Sequence, residues 1–280
     1  MIWSAADLRA LPSAPIEPLE VLYTFVSLEG EPSRSDEEVL DEEEIRRSWR
    51  FAHSIDRHRF ILAHAALRGF LARCLGVEAG NIRYEHGGHG KPRLAADLPP
   101  LEFNLTHSQG LGLLAVARGH PVGVDVERWH EVPYALAIAE AHFSPAEGKA
   151  LRALPAADVP GAFLRCWTRK EAMIKASGEG LGSALNSFEV DLSPGSTSAL
   201  KRYASRSGNR VSWSLRDLPS PTGFVAAGAV AAPLSDRVRW RELPADNFSG
   251  ARPSQIVDVL AMSGASERGV EGGTCEGVEL

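Results

Sequence analysis

The sequence predicts an α+β fold, and three observations carry that expectation. From Leu101 to Trp129 the chain reads strand, turn, strand, turn, strand, with apolar residues interrupted by Gly and Pro at the turns. Two long segments, about Asp56 to Cys74 and "DVPGAFLRCWTRKEAMIKASG" at 158–178, carry apolar residues near helical period. After the second, "SFEVDL", "VSWSLRDL" and "GFVAAGAVAA" read as three further strands. "TGFVAAGAVA" also echoes "QGLGLLAVA" (Gln109 to Ala117) as an apolar strand after a Gly turn, a faint hint of two similar halves.

Residues 1–35 read as a short polar lead followed by "EVLYTFVSL", an alternating strand. "SDEEVLDEEEIRRSW" predicts one acidic helix capped by Ser35 or Asp36, its carboxylates in the first turn. The next helix shows Phe60, Leu62, Ala63, Leu67, Phe70 and Leu71 on one stripe and ends at Gly76. "EHGGHGKPRL" is a glycine-rich loop. "GLLAVA" and "VGVDVE", joined by "RGHP", predict a hairpin. "YALAIAEAHFSPAEGKALRAL" is mostly helical, with Ser144-Pro145-Ala146-Glu147 as a helix start. From about Asn247 the chain is rich in Gly, Ser and Glu, which predicts a disordered tail apart from a short helix around "QIVDVLAM".

A chain of 280 residues is one large domain or two moderate ones. The net charge of −6 argues against a general nucleic-acid binder. No apolar run approaches a membrane span and no secretory signal is visible, so a cytoplasmic protein is expected. Three cysteines, an odd number with no C-x-x-C pair, argue against a disulfide framework or zinc knuckle. Cys74 and Cys166 lie in helical patterns, where a thiol serves as a small apolar group. The chain has few lysines, five in all, and Lys91, Lys170 and Lys175 fall in the segments that carry chemistry.

Three such segments stand out. In "GVDVE" (123–127), Asp125 and Glu127 are two apart on a strand and share a face. They form either a cation site, for which two oxygens on a rigid strand suit Mg²⁺, or a solvated acidic face. In "WTRKEAMIKASGEGL" (167–181), Glu171 and Lys175 are one turn apart. They form either a surface ion pair or, given Phe163, Trp167, Met173 and Ile174, charges on a mostly buried helix that need partners. A third carboxylate from Glu171 would complete a metal site, and Lys175 would then reach a phosphate. In "HGKPRL" and "FNLTHS", Lys91 on a stiff turn suits an anion or is merely solvated. Thr106, His107 and Ser108 supply donors at a strand end.

Together and in this order, these segments resemble the Sfp-type 4′-phosphopantetheinyl transferases. The resemblance rests on "GKP" at 90–92, "FNLTHS" at 103–108, "GVDVE" at 123–127, "FSPAE" at 143–147 and "WTRKEAMIK" at 167–175. It runs from about Asp56 to Leu192. Thr106 stands where the family commonly has Ser and keeps the hydroxyl. "DRHRFILAHAALR" looks like the family's D-x-x-R helix, and the tail has no counterpart.

The resemblance implies two similar α/β halves related by a pseudo-twofold axis, with the active site in the cleft between them. Residues 1–125 would form the N-terminal half, 126–245 the C-terminal half and 246–280 the tail. It implies transfer of the 4′-phosphopantetheine arm of coenzyme A to a serine of an apo acyl or peptidyl carrier protein, with release of adenosine 3′,5′-bisphosphate. Asp125, Glu127 and Glu171 would hold Mg²⁺ against the coenzyme pyrophosphate. Glu171 would also be the base for the serine hydroxyl, and Lys175 would stabilise charge developing on the pyrophosphate. Arg59, Gly90, Lys91, Pro92, Thr106, His107, Lys170 and Lys175 would bind coenzyme A, Lys91 and His107 near its adenosine end. Trp167 reads as core. The partners expected are carrier domains of fatty-acid, polyketide or nonribosomal-peptide synthases, served by a monomer. The alternatives are a Mg²⁺-dependent nuclease, disfavoured by the acidic balance, and a non-catalytic module that binds coenzyme A or carrier.

Overall fold

The start of the chain is packed rather than a free polar lead. In a computed structural model describing residues 1–86, 91–178, 185–203, 212–232 and 237–243, Trp3 is buried at the end of a short strand, Ile2–Trp3 (β1). The Ser4 hydroxyl accepts from Asp7 N and the Asp7 carboxylate takes back Ser4 N, starting Ala5–Ala10 (α1). Glu20–Ser27 (β2) is buried along nearly its whole length, so its alternation does not separate a wet face from a dry one.

The single acidic helix read from the sequence is two: Arg34–Glu38 (α2) and Glu42–Ser48 (α3). Each has its own capping box, Ser33 with Asp36 and Asp41 with Glu44. The cap is therefore Ser33, not Ser35 or Asp36. Asp41 takes the amide of Glu44 and begins a new helix before the first can continue. Ser54–Leu75 (α4) ends on Gly76 in the left-handed region at φ 71°.

Tyr84–His86 (β3) and Pro92–Leu94 (β4) pair as a small hairpin. Then come Leu101–Ser108 (β5), Leu111–Arg118 (β6) and Val122–Arg128 (β7). Ala135–His142 (α5), Pro145–Arg152 (α6) and Val159–Ser177 (α7) follow, α6 started by the predicted Ser144–Glu147 box with Pro at its first turn. The remaining strands are Glu189–Val190 (β8), Leu200–Arg202 (β9), Trp213–Asp217 (β10), Phe224–Ala231 (β11) and Arg239–Glu242 (β12).

The mixed helix and sheet content matches the α+β expectation. One sheet runs β1-β2-β6-β5 with β12 also on β2, and a second runs β10-β11-β7. The hairpin expected between β6 and β7 does not form. Instead β6 lies between β2 and β5, while β7 pairs antiparallel with β11. Pro121 brings no N–H to the start of β7. On the β5 side a side chain replaces a ladder bond, the Asn104 amide oxygen accepting from Val124 N at 2.8 Å. A domain boundary at residue 125 would thus fall inside β7, whose ladder partner lies in the later half.

Helix α4 with α1 covers the first sheet through Ile61, Leu67, Phe70 and Leu71. Helix α7 with α5 covers the second through Phe163, Leu164, Ala172 and Met173. Between the sheets Tyr23, Phe25, Leu113 and Ala115 meet Val122, Val124, Val126 and Val230. The decisive contact for the site is α7 on β7. A Cβ on Gly123 would stand 2.2 Å from Ala176 N and 2.3 Å from the Ala172 carbonyl oxygen, so only glycine lets the two backbones meet. Gly90, Gly180, Cys275 and the expected tail with its short helix lie outside the described residues.

Candidate active site

Strand period and helix period place four charges at one junction. Val124 and Val126 point into the layer between the sheets, which turns Asp125 and Glu127 to the opposite face. That face meets α7, where Glu171 and Lys175 sit one turn apart. The Lys175 ammonium donates to Asp125 Oδ1 at 2.7 Å and to the Thr106 hydroxyl at 3.0 Å. Thr106 in turn donates to Asp125 Oδ1 at 3.2 Å. Ser108 donates to Glu127 Oε2 at 2.9 Å and accepts from Arg128 N at 3.1 Å.

The electrostatics of this junction are unbalanced. Burial pushes the Asp125 carboxyl up, against the pull of Lys175 and Thr106. Burial and then the Asp125 charge push Glu127 up to about 7. Burial raises Glu171 as well, Asp125 adding to it and Lys175 opposing. Burial works against the Lys175 ammonium, but Asp125, Glu171 and Glu127 outweigh it and hold its pKa above the usual range. Three carboxylates share one ammonium, and Asp125 Oδ2 is buried with no hydrogen-bond partner.

A divalent cation fits this donor set. It would take the orphaned oxygen and lower all three carboxyl groups together. Among the described residues no three Asp, Glu, His or Cys side chains already stand in coordinating positions around one point. A hard cation that keeps most of its ligands as water or phosphate oxygen needs few from the protein.

The other predicted residues divide. Lys91 is not solvated: its ammonium donates to the carbonyls of Val122 and Lys175, each at 3.0 Å, stitching the start of β7 to the last turn of α7. Burial holds its pKa below the usual range. Pro92 opens β4 opposite His86. Burial and then the charges of Lys175, Arg59 and His64 push His107 below the usual imidazole range, leaving a neutral ring beside the cluster. Arg59 pairs with Glu29 at 3.1 Å. Trp167 packs against Phe163 and Phe143 with centroids 6.1 and 6.3 Å away, as core.

Lys170 is the correction. It was expected among the coenzyme ligands, yet it is fully buried on another face of α7. Its three protons are all engaged: Glu147 Oε2 at 2.9 Å, the Leu185 carbonyl at 2.7 Å and the Phe188 carbonyl at 2.9 Å. Nothing is left for a phosphate. The two cysteines in the described residues are free, and burial pushes Cys74 up to about 12 and Cys166 up as well, so neither is an activated nucleophile.

Residues 121–228, which hold β7, α7 and the first part of β11, match the model of the 4′-phosphopantetheinyl transferase superfamily. The 4′-phosphopantetheinyl transferase HetI of Nostoc sp. is 35% identical over 195 residues, 69% of this chain and 79% of the relative. The 4′-phosphopantetheinyl transferase Sfp of Bacillus subtilis is 31% identical over 171 residues, 61% of this chain and 75% of the relative. The chain belongs to the 4′-phosphopantetheinyl transferase superfamily.

Within this transferase, two residues with clear roles at the junction went unassigned from sequence. Asn104 sits in "FNLTHS" beside the hydroxyls that drew attention, and it ties β5 to β7. Gly123 heads "GVDVE" and admits α7. Ser108, a strand-end donor by its sequence position, orients Glu127. An amide followed by alternating hydroxyls on a buried strand was the available signal, since each buried polar group needs a partner.

Proposed function

We propose that the Asp125–Glu127–Glu171–Lys175 junction is the centre at which this enzyme moves the 4′-phosphopantetheine arm of coenzyme A onto a carrier-protein serine. One observation carries the reading. Three carboxylates on β7 and α7, Asp125 and Glu171 buried and Glu127 half-buried, act on a single ammonium, with one carboxylate oxygen unpartnered. Asp125, Glu127 and Glu171 would hold Mg²⁺, which supplies charge neutralisation and alignment at a pyrophosphate.

In the reaction the serine oxygen attacks the phosphorus that bears the pantetheine arm. A new O–P bond forms, the pyrophosphate P–O bond breaks, and adenosine 3′,5′-bisphosphate leaves with the electron pair. Glu171, on the face of α7 that meets β7, takes the serine proton directly or through a water. Lys175 meets charge developing on the pyrophosphate. Thr106 and Ser108 hold Asp125 and Glu127 in place. Neutral His107 offers one N–H, and Arg59 and Lys91 supply positive charge for the coenzyme phosphates.

The two-sheet arrangement supports two similar halves about a pseudo-twofold axis, each a sheet covered by one long helix, α4 or α7. Such halves in one chain supply the cleft without a second copy, which supports a monomer. The proposed site of action is the cytoplasm, on acyl or peptidyl carriers.

The test is intact-mass spectrometry of an apo carrier protein after incubation with the enzyme, coenzyme A and Mg²⁺. The expected result is a gain of one phosphopantetheine, lost with EDTA and restored by Mg²⁺. Transfer that survives EDTA would remove the cation from the mechanism. Absence of transfer to several carriers would overturn the reading.

A further inference from the structure

One corner of the molecule runs against the charge of the chain. Residues 46–59 hold five arginines and one carboxylate, Asp56, in a protein of net charge −6. They lie where α3 ends and α4 begins. Two large apolar side chains stand in solvent at the same corner, Trp49 at 65% exposure and Ile55 at 50%. The indole is held in place. The Arg57 guanidinium lies 3.4 Å from its ring centroid, and Arg57 is itself paired with Glu37 at 3.3 Å. A pre-ordered aromatic loses little freedom when a partner covers it. Arg46 and Arg50 are exposed and have no ion pair or side-chain hydrogen bond among the described residues.

The corner adjoins the catalytic junction. Asp56 and Arg59, in the first turns of α4, act electrostatically on His107. Arg59 also reaches Glu29, which packs on Gly110 in the turn that follows Ser108. A macromolecule seated here would approach the carboxylate cluster from the α4 side.

We propose that this corner docks the carrier protein, Arg46 and Arg50 meeting an acidic face of the carrier around an apolar contact on Trp49 and Ile55. The inference rests on the transferase reading above. An acidic partner is repelled by the protein as a whole, so it needs a local basic face to select its approach. Arg beside an ordered, exposed Trp is the composition that dominates interface energetics.

The experiment uses the full chain and an apo acyl carrier protein as probe, with coenzyme A saturating. Arg46→Glu/Arg50→Glu raises KM for the carrier by about tenfold or more and flattens its salt dependence. Trp49→Ala raises KM by about tenfold, on the scale of an interface hot spot, and leaves the salt slope as in the parent. In both, kcat at saturating carrier and the coenzyme A dissociation constant stay within about twofold, the expectation for side chains outside the site. If the double variant disturbs coenzyme binding, Trp49→Ala decides alone. A carrier KM unchanged in both variants overturns the docking assignment and leaves the transferase reading intact. A parent that transfers nothing overturns both. A parent that self-associates, with a monomeric double variant and unchanged carrier KM, assigns the corner to a second copy and overturns the proposal.

Discussion

Helix α7 carries two buried lysine–carboxylate clusters, and they are built to opposite specifications. At Lys170 every bond is closed. Its three protons meet three acceptors, and Glu147 fills its two oxygens with Lys170, Ser144 N at 2.8 Å and Val190 N at 2.7 Å. At Lys175, five residues further on, three carboxylates compete for one ammonium and Asp125 Oδ2 has no partner. The first cluster pins α6 and β8 to α7. The second leaves negative charge uncompensated in a buried place, which a folded chain maintains only where something else completes it. A saturated network marks structure, and an unsaturated one marks a site.

The comparison breaks first at Glu171. Glu171→Gln removes the proposed base and one carboxylate, and should lower turnover by about 10²–10⁴-fold. Stability should hold or rise, since a charge that burial disfavours has gone. Single-turnover transfer and urea denaturation on the same preparation measure both. Turnover within tenfold of the parent would sink the assignment.

The Lys170 cluster should answer in the reverse sense. Lys170→Met leaves Glu147 buried and unpaired, and should lower stability by about 3–5 kcal/mol. Lys170→Met/Glu147→Met, which removes both charges, should regain most of that loss. Coenzyme affinity of the folded fraction should match the parent. A coenzyme affinity that fell tenfold in the folded double variant would return Lys170 to the site.

Between the two, Gly123→Ala tests the packing that brings α7 onto β7. The added methyl meets backbone, which cannot rotate away, so a loss of about 1–3 kcal/mol is expected. Transfer should fall as well, because Glu171 and Lys175 move relative to Asp125. A variant with parent stability would show that α7 has room to shift.

These contrasts also explain what the sequence could and could not reveal. Asp125 with Glu127, and Glu171 with Lys175, were legible because periods of two and near four fix which side chains share a face. Ser144 was legible as a cap because its partner is local, three residues away. The sequence does not separate Lys170 from the site because α7 is buried on nearly all sides, so no polar stripe distinguishes the face toward Glu147 from the face toward Asp125. The β6–β7 hairpin that the sequence suggests does not form because ladder partners are set by distant strands, here β11. The division into α2 and α3 is hidden because two successive capping boxes, Ser33–Asp36 and Asp41–Glu44, look by composition like one acidic helix. Gly123 was invisible in its role, since a close approach of backbones leaves no trace but a glycine.

The smallest expected effect bears on whether the cluster is unsaturated. Glu127 titrates near 7 in the fold and near 4.5 when unfolded. The folded protein therefore holds this proton more tightly across that window, and stability declines as pH rises from about 4.5 to 7. Carboxylates held below their usual range, such as Glu20, Asp36 and Glu44, act the other way but only at lower pH. Burial of His107 in its neutral form acts the other way near 6.5, so the parent alone would blur the signal. Comparison with Glu127→Gln isolates it. In the absence of divalent cation, the Tm of Glu127→Gln should rise relative to the parent as pH goes from 5 to 8. Adding Mg²⁺ at pH 8 should stabilise the parent and close that gap, because a cation reverses the repulsion that raised the pKa. A gap that stayed constant with pH would mean that Ser108 and the surrounding solvent already satisfy Glu127. The two lysine clusters of α7 would then differ less than their bonding indicates.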